Sequence, residues 1–181
     1  MAALIPTASV TGSGTMTLAG PSTNSNQTVT IPDATGTMMV SGNMPAFSAY
    51  QNASTTVNSS TNTKIALQVE EFDTANAFDS TTNYRFTPQV AGYYQVSAGI
   101  QFNGTTITRV FAGIYKNGSI AQYFFDINVA TVYRASGSCL IYMNGTTDYL
   151  EWYGQMNGTG TLQFETNQYG TYFQAVLVRG A

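Results

Sequence analysis

Between residues 92 and 102 apolar and polar side chains alternate without a break. Tyr94, Val96, Ala98, Ile100 and Phe102 fall on one face and Gln95, Ser97, Gly99 and Gln101 on the other. A period of two predicts a half-buried antiparallel strand. Tyr149-Leu150-Glu151-Trp152-Tyr153 predicts a second strand, and Tyr172–Val178 is apolar enough to predict a third, buried on both faces. Asn-Gly pairs occur at 103–104, 117–118, 144–145 and 157–158. Both residues tolerate the positive φ that a two-residue type I′ hairpin turn requires. The pair at 117–118 is the best placed, with Ile114 and Tyr115 before it and Ile120 and Ala121 after it. No window shows a convincing helical stripe, so the pattern predicts an all-β sandwich or barrel of many short strands.

The pattern changes near residue 44. Residues 1–44 hold one charge, Asp33, and are broken at Gly12, Gly14, Gly20-Pro21, Pro32, Gly36 and Gly42. Between the breaks, Met16 with Leu18, Val29 with Ile31 and Met38 with Val40 form short alternating pieces, which predict short strands. So few apolar groups cannot form a core. The segment must therefore lie on its own globular domain, a symmetry mate or a larger assembly, or else serve as a disordered linker. Residues 45–181 hold all six basic and eight of the nine acidic side chains. The expected organisation is an extended segment over 1–44 and a sandwich over 45–181.

Composition narrows the chemistry. Charged residues make up only 8% of the chain and the net charge is −3, while Thr, Ser, Asn and Gln fill 66 of 181 positions. Aromatics at 13% supply a core and exclude a disordered composition. Six basic residues are too few for a phosphate-tracking groove, so no nucleic-acid partner is expected. There is no His, which removes the commonest general base and metal ligand. The lone Cys139 lies in the apolar run Cys139-Leu140-Ile141-Tyr142 and reads as a small buried hydrophobe rather than a nucleophile. Met1–Thr7 lacks a basic region and a long apolar core, so a signal peptide is not expected. Nothing approaches the roughly 18 consecutive apolar residues of a membrane-spanning helix. A soluble protein made without export, with no membrane partner, is the expectation.

Several residues invite sharper readings. Glu70-Glu71-Phe72-Asp73 offers carboxylates of the kind that hold calcium, but one acidic triplet is not a ligand set, and these acids read as structural or solvated. Asp148 and Glu151, three apart, would face opposite sides of a strand and make a poor acid/base pair. Trp152 and the tyrosines suit sugar stacking, yet at strand positions they read first as core or intersubunit packing. No catalytic residue, metal ligand or cofactor is expected, and the chain is not read as an enzyme.

Four motifs in order carry a resemblance. Phe86-Thr87-Pro88-Gln89-Val90-Ala91-Gly92-Tyr93-Tyr94-Gln95-Val96 resembles the Phe-Thr-x-Pro and Gly-x-Tyr-x-Phe pattern of the C1q/TNF-like family. Tyr115-Lys116-Asn117-Gly118 is similar to its Lys-Asn-Gly hairpin. Asn144-Gly145-Thr146-Thr147-Asp148-Tyr149-Leu150 is similar to its Gly-Asp stretch, and Tyr172-Phe173-Gln174-Ala175-Val176-Leu177 to its C-terminal strand. Val96 stands where the family usually has an aromatic and Ala175 where it has Gly. The resemblance implies an antiparallel ten-strand jelly roll that assembles as a homotrimer.

A second resemblance lies upstream. Gln27-Thr28-Val29-Thr30-Ile31-Pro32-Asp33-Ala34-Thr35-Gly36-Thr37-Met38 is similar to a segment of bacteriophage tail and fibre proteins. Together the two imply a phage virion protein, made in the host cytoplasm and carried on the outer capsid surface or on a fibre. The reading favoured here is a trimeric capsid decoration, or cement, protein. Residues 1–44 would attach it to the major capsid protein or another virion protein. The alternative is a tail-fibre or head-fibre tip that binds a host-surface receptor or glycan.

Overall fold

The computed structural model describes residues 44–128, 134–166 and 168–181, together with Asn26, Val40 and Gly42. The strands expected within residues 1–44 lie outside the described residues. Among the described residues eleven strands follow one another: β1 (Ala46–Tyr50), β2 (Thr55–Val57), β3 (Thr63–Lys64), β4 (Val69–Asp73), β5 (Phe78–Asp79), β6 (Arg85–Phe86), β7 (Gly92–Lys116), β8 (Ser119–Asn128), β9 (Arg134–Met143), β10 (Leu150–Phe164) and β11 (Tyr172–Gly180). Every pairing among them is antiparallel.

The long strand β7 organises the rest. Its first half pairs with β11 on one side and β9 on the other, and β1 and β4 continue that sheet beyond β11. Its second half pairs with β8 and β10, and β10 carries β2, β3 and β6, with β5 outermost. The first sheet is thus β4-β1-β11-β7-β9 and the second is β8-β7-β10-β6-β5. This is the jelly-roll architecture expected, with two of its strands fused into one.

The alternation read from the sequence fixes which way each half of β7 faces. Tyr94, Val96, Ala98, Ile100 and Phe102 are all buried from the first half, and Val110, Ala112 and Ile114 from the second. Phe47 stacks on Phe78 and Phe86 at 4.7 and 4.5 Å and meets Phe173 edge-on at 5.0 Å. Trp152 on β10 is fully buried and donates its indole N–H to the Gly99 carbonyl at 3.1 Å, joining the two sheets. Trp152 is therefore core, not a sugar platform. At one end Gln51, also fully buried, donates its side-chain amide to the Ala53 carbonyl, the Thr55 hydroxyl and the Phe164 carbonyl. The N–H₂ half of this buried amide is thereby satisfied, while its oxygen is buried with no partner among the described residues.

Two expectations are corrected. Of the four Asn-Gly pairs only 117–118 makes a two-residue hairpin, closing Lys116 against Ser119 with φ of 53° and 79°. Asn103-Gly104 lies inside β7 opposite Gln163 and Leu162, and Asn157-Gly158 lies inside β10 opposite Arg109 and Ile107, at the two ends of a stretch of register shifts. Gly158 is needed there because a Cβ would stand 2.0 Å from the Thr106 carbonyl oxygen. Asn144-Gly145 sits in the longer connection from β9 to β10. The second correction concerns β11, which is buried on one face only. Phe173, Ala175 and Leu177 point inward, whereas Val176 and Val178 are exposed.

Gly118 has open space where a side chain would go, its nearest neighbour being the Tyr149 hydroxyl at 3.6 Å. A β-branched residue there meets backbone strain rather than a clash. Gly118→Val should lower the unfolding free energy by about 1–3 kcal/mol, read from the urea midpoint. An unchanged midpoint would contradict the turn geometry.

Candidate functional site

Packing the inner faces leaves the outer face of the β4-β1-β11-β7-β9 sheet to be explained. Along β9 and β11 the residues that alternate with the core are Leu140, Tyr142, Val176 and Val178, and all four are exposed, Leu140 at 58% and Val178 at 53%. Register places Leu140, Gln95 and Val176 side by side across three strands. Tyr93 lies against Tyr142 with ring centroids 5.4 Å apart. The next row is neutral and polar, running Ser138, Ser97, Gln174 and Ser48. A shallow depression of about 290 Å³ lies between Ala46, Phe72, Gln95, Ser97, Gln174 and Val176. Monomeric proteins seldom expose so contiguous an apolar face.

A second apolar surface lies on a different edge. Among the described residues, β8 and β9 are each the last strand of their own sheet. Phe124 of β8 packs on Trp152 at 5.4 Å and Phe125 on Phe102 at 5.8 Å, so both help to close the core at this edge. Ile120, Tyr123 and Ile127 remain exposed on the same strand, Tyr123 at 55%. The chain thus presents two non-equivalent apolar surfaces, a sheet face and a strand edge.

The acids that invited chemical readings are each occupied by the protein. Glu70 accepts the Ser80 hydroxyl and Glu71 the Ser48 hydroxyl, both at 2.5 Å, while Asp73 caps the turn at Ala75 and Phe78. Asp148 lies in the loop before β10 and Glu151 within β10, and they serve separate ion pairs. Glu151, only 6% exposed at its side chain, meets Lys64 at 2.6 Å. Asp148 takes Lys116 at 2.7 Å, the Asn117 amide at 2.8 Å and the Asn144 N–H at 3.0 Å. Burial pushes its carboxyl upward, but these three donors outweigh burial and hold it below the usual carboxylate range. This knot ties the β7–β8 hairpin to the β9–β10 loop, since Asn117 also accepts the Tyr149 N–H. Cys139 is half-buried against the core, and burial pushes its thiol up to about 11, the opposite of an activated nucleophile.

The exposed apolar face is what the sequence reading missed. Its signal was present in Leu140, Tyr142, Val176 and Val178, apolar at positions where alternation called for polar side chains.

No family model matches the chain, and no curated protein matches it. Solved structures do. Murine APRIL at pH 8.5 shares 10% identity at a TM-score of 0.55, covering 75% of this chain and 99% of that one. The globular domain of zebrafish complement 1qA shares 17% identity at 0.54, covering 76% and 98%. Eiger TNF from S. frugiperda shares 9% at 0.52, covering 76% and 93%. At such identities the likeness is one of fold, and the chain has the TNF/C1q-like jelly-roll fold.

Asp79, not singled out in the sequence, accepts the backbone N–H groups of Thr81, Thr82 and Asn83 and the Asn83 amide. The backbone bonds from Thr82 and Thr81, then the Asn83 side chain, hold its carboxyl well below the ordinary 3.8. A carboxylate depressed in the folded state adds stability above its unfolded pKa and loses that stability as pH falls below it. Asp79→Ala should therefore be less stable than the parent at neutral pH, with the gap narrowing below pH 3.8. Urea titrations at the two pH values check this, and a constant gap would contradict it.

Proposed function

We propose that this chain is a non-enzymatic structural protein whose jelly roll assembles as a homotrimeric knob on a phage virion. The observation that carries the trimer is the exposed apolar face of Leu140, Tyr142, Tyr93, Val176 and Val178 beside a separate apolar edge on β8. Two unlike surfaces that bind one another give a heterologous contact, which must close into a ring or run on into a filament. Burying apolar area contributes about 25 cal/mol per Å², and few charges oppose the approach. Ring closure at three subunits is the reading that the fold favours.

The virion role rests on the resemblance of residues 27–38 to phage tail and fibre segments and on the low charge of the whole chain. Residues 1–44 serve as the attachment segment, pairing their alternating strands with a neighbouring virion subunit, foremost the major capsid protein. Three copies on one trimer would engage neighbouring subunits together and gain avidity from weak individual contacts. The knob then points outward from the particle as decoration.

Light scattering of the full chain should give three times its 19.4 kDa mass. Leu140→Glu combined with Val176→Glu should yield a folded monomer, because two exposed side chains are exchanged without touching the core. A parent chain that runs as a monomer at micromolar concentration would sink the trimer.

A truncated chain that begins at Met44 should still fold and trimerise, yet fail to bind particles stripped of this protein, while the full chain rebinds. Equal rebinding by both would assign attachment to the knob. Binding of the full chain to tails rather than heads would favour the fibre reading.

A further inference from the structure

A polar cleft of about 370 Å³ opens at the β5–β6 edge of the second sheet, lined by Asn76, Asp79, Asn83, Arg85, Thr87 and Gln89. Strand order puts this edge farthest from β8, so the cleft is open in the single chain and away from the β8 edge used by the proposed trimer. Its chemistry turns on Arg85. Register places Asp79 and Glu151 on either side of it, on β5 and β10. Both carboxylates are engaged elsewhere, Asp79 with the Thr81–Asn83 turn and Glu151 with Lys64 at 2.6 Å. The guanidinium instead lies 4.6 Å above the Tyr149 ring, and it has no ion pair or hydrogen bond among the described residues.

Other groups around it are equally uncommitted. The Asn76 side chain and the Thr87 hydroxyl make no hydrogen bond among the described residues. Asn83 spends only its amide N–H₂ group, on Asp79, and Gln89 only its own, on the Thr87 carbonyl, leaving both amide oxygens as acceptors. The cleft therefore combines free donors, free acceptors and one hydroxyl that is both. Charge decides which ligand such a set suits. The guanidinium is balanced by two flanking carboxylates that cannot turn away from their own partners, and Asp79 stays ionised down to low pH. Register sets both carboxylates beside Arg85, so an anion drawn to it would also approach two like charges that oppose its binding. A ligand with hydroxyls, each able to donate and accept, meets no such opposition.

We propose that this cleft binds a neutral saccharide, its hydroxyls bridging the Arg85 guanidinium, the Thr87 hydroxyl and the amides of Asn76, Asn83 and Gln89. Arg85 covers one face of the Tyr149 ring, so recognition in the cleft rests on hydrogen bonds.

Saturation-transfer difference NMR on the full chain tests this, with glucose, galactose and N-acetylglucosamine as neutral probes and glucuronic acid as the charged one. At millimolar concentration at least one neutral sugar should give a signal that Arg85→Gln and Thr87→Val each abolish. Thermal melting shows whether each variant is folded. Thr87→Val keeps the side-chain shape and the backbone bond from Thr87 to the Ala77 carbonyl, so it carries the test if Arg85→Gln is destabilised. No signal from any neutral sugar, a signal from glucuronic acid alone, or signals unchanged in folded variants would each overturn the assignment. None of these outcomes bears on oligomeric mass or particle binding, so a failure here is distinct from a failure of the virion reading.

Discussion

One strand has to furnish the inner face of both sheets. β7 enters the first sheet at Gly92 and leaves the second at Lys116, and β8, β9, β10 and β11 each pair with it along one edge. A slip of one residue would turn every side chain of such a strand to the opposite face. The register is held from within by Tyr94, Val96, Ile100 and Phe102, and across the sandwich by the Trp152 indole bond to Gly99. The outer face then follows without further choice. Tyr93 and Gln95 point outward because Tyr94 and Val96 point inward, and their neighbours on β9 and β11 are fixed in the same phase. The exposed apolar surface is the reverse side of the core.

Much of this was legible in the sequence, for a physical reason. Where a strand is half-buried, burial writes itself as alternation, and residues 92–102 show it plainly. The hairpin at Asn117-Gly118 was legible because its backbone demands residues that accept positive φ. The other Asn-Gly pairs misled because the same tolerance also serves a close approach between strands, as at Gly158 against the Thr106 carbonyl. Continuity of β7 past Asn103-Gly104 could not be read, since it depends on β10 lying alongside. For β11, an apolar run on both sides predicted two buried faces, but Val176 and Val178 stand exposed on the outer one. The cleft at Arg85 was illegible for a different reason. It depends on where Asp79 and Glu151 direct their carboxylates, and those choices are made by residues distant in sequence.

The few charges are placed with economy. Lys64–Glu151 and Lys116–Asp148 brace the loops and the short strands at the sandwich margin, and Arg109–Asp126 joins β7 to β8. The rows of Leu140, Gln95 and Val176, and of Ser138, Ser97 and Gln174, carry no charge. Charge enters at the margin of this face, where Arg179 lies opposite Tyr93 and the Lys116 ammonium stands 5.7 Å from the Tyr142 ring, so salt has a charge to screen there. The more exposed Arg109–Asp126 pair contributes modestly in water, whereas Glu151 and Asp148 are largely buried, so removing Lys64 or Lys116 would leave a carboxylate without its charge partner away from water.

The pairing of β1 with β11, which sets Ala46 opposite Val176, governs the timing of synthesis. The first strand of the sandwich leaves the ribosome long before its partner exists, and almost the whole domain must be translated before the first sheet can close. Contacts so distant along the chain make folding slow relative to local structure. During that interval the edges of β1 and the apolar rows of the nascent sheets are open to neighbouring chains. A protein that displays an apolar face when finished thus displays more of it while unfinished, and chains made close together on one message would meet while both are still seeking a strand.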